Sequence, residues 1–183
     1  LYIEGYYIDS GRMTTALLNH GLLASTTISD SIDIELHNST APYDSVTSIR
    51  TALFTNGTAI ATYNAIQGNY YLVIKHHSSI QTWSATPVTI SASPITYDFT
   101  NAASKAFGNN MKEVEPGIWA LFGGEIIQDE NIDLLDSPNM EDRINAFDTC
   151  FLTTDLNGDG NTDLLDATIL EENINNFIFA AKP

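Results

Sequence analysis

Residues 155–166 read DLNGDGNTDLLD, and their spacing decides how the last third of the chain is interpreted. With Asp155 as position 1, oxygen-bearing side chains fall at positions 1, 3, 5, 7, 9 and 12, as Asp155, Asn157, Asp159, Asn161, Asp163 and Asp166. Gly160 stands at position 6, where a loop that wraps an ion turns most sharply. A hard divalent cation takes about six to eight oxygen ligands, and here one short segment supplies them.

The spacing is that of a calcium loop of EF-hand type, in which position 7 contributes its carbonyl. The pattern recurs upstream. Aligning GEIIQDENIDLLDSPNMEDRINAF (124–147) with TDLNGDGNTDLLDATILEENINNF (154–177), a shift of 30 residues, leaves 10 of 24 positions identical. Two copies make a paired unit, not a solenoid. Each reads as a loop followed by a helix: Leu165, Ile169, Leu170, Ile174 and Phe177 recur at helical spacing, and Pro138 sits near a helix start. The first loop is the poorer one. Its donors are Glu125, Asp129, Asn131, Asp133 and Asp136, whereas Ile127 offers no ligand and Glu130 replaces the glycine. Weaker Ca2+ binding is expected there than in the second loop.

Charge points the same way. The formal net charge is −16, and residues 124–177 hold 14 of the 23 acids against a single Arg143. Carboxylates at this density repel one another unless a cation lies among them. So acidic a chain is no partner for nucleic acid, and no apolar run is long enough to cross a bilayer. The sequence starts at Leu1 without Met or a signal-like segment, and reads as a processed product or a piece of a longer protein. Its one cysteine, Cys150, permits no intrachain disulfide and reads as a small buried apolar residue.

Residues 1–100 read as short runs rich in β-branched and aromatic residues, broken by turn signals: LYIEGYYI, SIDIELHN, SVTSIRTALF, TAIATYN, NYYLVIKHH, IQTWSA, PVTIS and ITYDFT. Asn56-Gly57 marks a hairpin turn, and residues 9–29 read as a long loop or a short helix. The expected fold is mostly β with a small α part. An antiparallel β-sandwich of prealbumin or Ig-like type over 1–100 is followed by a connector over 101–123, with a strand at 117–122. A pair of calcium loop-helix units fills 124–183.

The duplicated loop-helix resembles the dockerin module, on the strength of DLNGDGNTDLLD and its weaker twin EIIQDENIDLLD. Aspartate at position 12, where ordinary EF-hands carry Glu, fits that resemblance. It implies a secreted or cell-surface protein whose helices dock onto a cohesin-like partner. Positions 10 and 11, which face cohesin in dockerins, are Leu134-Leu135 and Leu164-Leu165 here. One leucine of each pair is expected in the inter-helix core and the other at an interface with a cohesin-like protein or with other copies of the chain. The β part is similar, at the level of fold, to carboxypeptidase-regulatory and collagen-binding stalk domains. The whole looks like C-terminal modules of secreted proteins of Bacteroidetes type. On that resemblance Ser31 and Ser45, each in an Asp-Ser-apolar triplet, are candidate glycan sites.

No nucleophile elbow, phosphate loop or zinc-protease motif occurs, and an enzyme is not expected. His76 and His77, as strand neighbours, point to opposite faces and are expected not to share a metal. Trp83, Trp119, Tyr6, Tyr7, Tyr70 and Tyr71 are the candidates for a sugar-stacking surface, although core packing is the commoner fate of such residues. The expected function is a non-catalytic, extracellular structural or filament module that Ca2+ orders for association. The alternatives are a dockerin adaptor on a cohesin scaffold and a carbohydrate-binding module.

Overall fold

A computed structural model describes residues 1–149 and 151–183; the expectation for Cys150 lies outside them. Among the described residues nine strands and three α-helices follow one another. The first strands, β1 (Tyr7–Asp9) and β2 (Arg12–Met13), form a small ribbon that leads into the single-turn α1 (Ala16–Asn19). Next come β3 (Ile28–Asn38), β4 (Ser45–Phe54), β5 (Gly68–His76), β6 (Ser79–Trp83) and β7 (Val88–Ile90). The hairpin β8 (Lys112–Glu115) and β9 (Ile118–Ala120) precedes α2 (Ser137–Ala146) and α3 (Leu164–Asn175).

The main sheet is antiparallel in the order β4-β3-β5-β6, with β7 sharing the β6 edge of β5. Its long strands arise from alternation. On β3, Asp30, Ile32, Ile34 and Leu36 turn inward while Asp33 meets Arg50 of β4 on the solvent side. The inward row packs on Ile74, Leu53, Tyr2, Ile3, Tyr6, Met13, Phe99 and Leu121. The opposite face carries a smaller cluster of Tyr71, Val73 and Trp83.

Most of the expected strands are present, but two are not. TAIATYN contributes only one bridge, Leu53 to Ala59, and ITYDFT forms no strand. Both runs still serve the core, through Ala59, Ala61, Tyr63, Tyr97 and Phe99, without ladder pairing. Residues 9–29 hold both a ribbon strand and α1. In the expected connector the β8–β9 hairpin turns at Gly117, whose φ is +79°.

The two C-terminal helices pack on each other and on the β part. Met140, Leu156 and Leu170 join Ile80, Ile126 and Ile132 in a second core, flanked by Phe122, Ile144, Ile169 and Ile174. Leu165 and Phe177, expected on the apolar stripe of α3, face solvent instead. Their positions belong to the loop end and to the helix terminus, where the stripe has no partner to cover it.

A polar network ties α3 to the first strands. Asn173 donates to Glu4 Oε2 at 2.6 Å and to the Gly123 carbonyl at 2.8 Å, and Lys112 links Glu4 to Glu172. Close backbone approach completes the seam: a Cβ on Gly5 would stand 2.0 Å from the Leu156 carbonyl oxygen. Gly5→Ala is therefore expected to force the seam apart and cost about 1–3 kcal/mol, as over-packing does. Thermal unfolding followed by circular dichroism checks it, and an unchanged melting temperature would show that the contact is not needed.

Candidate functional site

The two acidic loops share one conformation. In the second, Gly158 and Gly160 have φ of +70° and +102°; in the first, Gln128 and Glu130 take +60° and +78° at the same positions. Non-glycine residues held in this region are strained, so the first loop keeps the shape at a cost that its twin avoids. Glu130 turns its side chain away from the loop, to Gln81 and Lys182.

The closing aspartates behave alike. Asp166 Oδ1 accepts from the backbone N–H of Leu156 and Asn157 at 2.7 and 2.9 Å, and its Oδ2 from Asp163 N–H at 2.8 Å. Asp136 repeats this with Ile126, Ile127 and Asp133 at 2.8, 3.0 and 3.0 Å. Both carboxylates are fully buried. Asp133 and Asp163 each accept Leu135 or Leu165 N–H at 2.7 Å; at Asp163 this caps α3, whereas at Asp133 it shapes the turn that precedes α2. Asp129 and Asp159 accept from Asn131 and Asn161 N–H.

Position 1 separates the loops. Asp155 is buried, its two oxygens accepting Gly158 and Gly160 N–H, with His20 Nε2 2.7 Å from Oδ2. Glu125 is buried too, but among the described residues its Oε2 has no hydrogen-bond partner. A buried carboxylate oxygen without a donor is costly, and it marks a place where a cation would fit. Both loops thus offer all-oxygen donor sets that suit a hard divalent ion, and the second is the more complete because Asn157 stands where Ile127 does.

Burial shifts these groups upward. It pushes Glu125 up to about 7 and Asp166 up to about 6, against the pull of their backbone donors, and raises Asp136 and Asp155 as well. Glu125 normally ionises near 4.5. Between that pH and about 7 the folded chain holds a proton that the unfolded chain has lost, so metal-free protein loses stability as pH rises through this window. Glu125→Gln is expected to melt several degrees above wild type at pH 8 in chelator, and together with it at pH 5. Equal melting at both pH values would mean that the Glu125 carboxyl is not strained.

All four leucines of the repeated Leu-Leu-Asp triplets lie on the surface: Leu134 and Leu164 are 74% and 71% exposed, Leu135 and Leu165 both 62%. This corrects the expectation that one of each pair enters the inter-helix core, because that core is filled by Met140, Ile144, Ala167 and Leu170. Leu164 lines a shallow groove between α2 and α3, of about 360 Å³. Two further exposed residues escape sequence inspection as site residues, Phe147 (87%) and Phe177 (83%), although their identity in both copies was a signal.

The candidate glycan residues sit in strands, Ser31 half-buried inside β3 and Ser45 exposed at the start of β4. Among the candidate sugar-stacking aromatics, Tyr6, Tyr71 and Trp83 are buried, while Tyr7, Tyr70 and Trp119 are half-buried.

A second constellation lies under the seam. Asp30 Oδ2 receives three groups, the Tyr6 hydroxyl at 3.1 Å, His76 Nε2 at 3.2 Å and His77 Nε2 at 3.1 Å. The expectation that His76 and His77 point apart is therefore wrong. Alternation holds only within a strand, and β5 ends at His76; His77 lies in the turn to β6, and its ring swings back over Asp30. Burial would raise Asp30, but the two histidines outweigh it and hold it well below the usual range. Burial lowers His76 to about 4 and keeps it neutral.

Comparison with known protein families, with characterised proteins and with solved structures finds no match to this chain.

Proposed function

We propose that this is a non-catalytic, extracellular structural protein whose C-terminal third is ordered by calcium and then associates through the exposed leucines. A two-layer β-sandwich reading of the first part is supported by the ribbon β1–β2 and the hairpin β8–β9, whose residues pack with the inner face of the main sheet. A dockerin-like reading of the last part is supported by two loops of one conformation, each closed by a buried aspartate at the start of the helix that follows.

The observation that carries the proposal is the pairing of buried carboxylates with exposed apolar residues in both copies. Asp155, Asn157, Asp159, the Asn161 carbonyl, Asp163 and Asp166 would hold the ion of the second loop; Glu125, Asp129, Asn131, Asp133 and Asp136 would hold that of the first. Bound Ca2+ supplies the positive charge that sets carboxylate repulsion to rest. The chain itself fixes the loop shape through its backbone N–H donors, and so positions α2 and α3 and the leucines at their starts. Six large apolar side chains, Leu134, Leu135, Phe147 and their counterparts Leu164, Leu165 and Phe177, then face outward. Exposed apolar groups repeated in this way mark an interface. A second copy of the chain is the first partner to consider and a cohesin-like protein the other, since both leucine pairs occupy cohesin-facing loop positions.

Calcium at a hundred times its dissociation constant stabilises a folded state by about 2.7 kcal/mol per site. Chelation is therefore expected to lower the melting temperature by roughly 5–10 °C and to weaken the helical circular dichroism signal. Calorimetry without heat on calcium addition, together with a helical signal indifferent to chelator, sinks the reading. Light scattering with calcium should show an assembly that Leu164→Asp, Leu134→Asp protein loses. A monomeric wild type favours the adaptor for a separate partner.

A further inference from the structure

The cluster beneath the seam has the makings of a second metal centre, different in kind from the loops. Asp30, His76 and His77 each offer one ligand atom, and these atoms all lie within 4.8 Å of one another. Each imidazole Nε2 stands 3.1–3.2 Å from the same carboxylate oxygen. Ligand atoms sharing one zinc stand roughly 3.0–3.4 Å apart, given bonds of about 2.0–2.1 Å at near-tetrahedral angles. The side chains of Asp30 and His76 have no exposure, whereas that of His77 is 25% exposed. One side of the cluster is therefore open to an incoming ion and to water.

From this arrangement we infer that Asp30, His76 and His77 form a binding site for a divalent first-row transition metal of the zinc class. Two nitrogens and one carboxylate oxygen are the donors such ions take, whereas the all-oxygen loops suit calcium. The surroundings are already in place. Ser78 N–H donates to His76 Nδ1 at 3.4 Å and Ser78 Oγ lies 3.1 Å from it, so without metal the ring proton sits on Nε2 toward Asp30; an ion would take Nε2 in place of that proton, with Nδ1–H then donating to Ser78 Oγ. The Tyr6 hydroxyl donates to Asp30, and Ser31 N–H donates to its other oxygen at 2.6 Å. Outer partners of this sort orient metal ligands and tune their affinity. A dipositive ion also answers the charge of a carboxylate that is otherwise sunk among two imidazoles and a phenol.

The site would brace the seam. Asp30 lies on β3 and the histidines at the β5–β6 turn. The Phe151 ring packs on His77 at 4.7 Å and on His20 at 5.1 Å, next to the loop that holds Asp155. Gln128 of the first loop reaches the His77 carbonyl at 3.3 Å.

The experiment titrates full-length protein with Zn2+ by calorimetry and with Co2+ by visible absorption, in excess calcium so that the loops do not compete. One equivalent is expected to bind, with the absorption of a low-coordinate Co2+ and a raised melting temperature. His77→Ala removes one of the two imidazoles that hold Asp30 and is expected to melt lower without metal; titrated well below that melt, the folded variant should lose at least tenfold in Zn2+ affinity. In wild type, 15N signals of the His76 and His77 rings should move on adding Zn2+, which needs no variant to fold. Absence of zinc uptake, unchanged affinity in His77→Ala, or shifts confined to His20 or His37 overturns the site. The calcium reading stands or falls separately, because its titration is made without zinc.

Discussion

Four carboxylates, those of Glu125, Asp136, Asp155 and Asp166, are drawn inside the protein with backbone N–H groups as their chief donors, and among the described residues Glu125 Oε2 has none. Their burial constrains everything around them. Each closing aspartate binds the start of its loop to the start of its helix, so loop shape, helix start and helix position are one decision taken at one residue. Removing a carboxylate from water is expensive, and backbone dipoles return only part of the cost. The loops therefore have the form of sites that want a positive charge.

The helices owe their place to the β part as much as to each other. Their mutual contact is small, and Ile80 and Phe122 complete their core. Glu4, Lys112 and Asn173 then fasten α3 from its polar side, while Gly5 lets two backbones meet and Gly158 lets the loop backbone lie against side chains; a Cβ on Gly158 would stand 2.8–2.9 Å from those of Thr14, Ala16 and Tyr6. An ion in the second loop would thus be felt at the N-terminal ribbon. The Asp30 cluster sits under the same seam, which places the proposed zinc-class centre where it can couple strand pairing to loop docking.

The outward leucines and phenylalanines belong to this logic. A helix pair needs one apolar stripe per helix to hold its partner, and Met140, Ile144, Ala167 and Leu170 supply it. Leu134, Leu135, Leu164 and Leu165 stand at the loop ends, one turn too early to reach that stripe. Phe147 directly follows α2 and Phe177 stands two residues past α3, both in left-handed backbone. Their exposure follows from the periodicity of the repeat, and both copies repeat it.

What the sequence determined by itself is local. Oxygen spacing, the 30-residue repeat, the helices after each loop and the alternation in β3, β4 and β5 all depend on neighbours within about a dozen residues, so they are legible in order. The failed strands TAIATYN and ITYDFT were apolar enough to be buried, but burial was obtained in the core without an edge to pair with. Tertiary structure alone decided which residues meet across the chain: Tyr6 with Asp30 and both histidines, His20 with Asp155, Asn173 with Glu4. Those contacts join segments 24 to 169 residues apart or depend on where a strand stops. His77 shows the difference most plainly, since the end of β5 one residue earlier, and not its own chemistry, turned it toward Asp30.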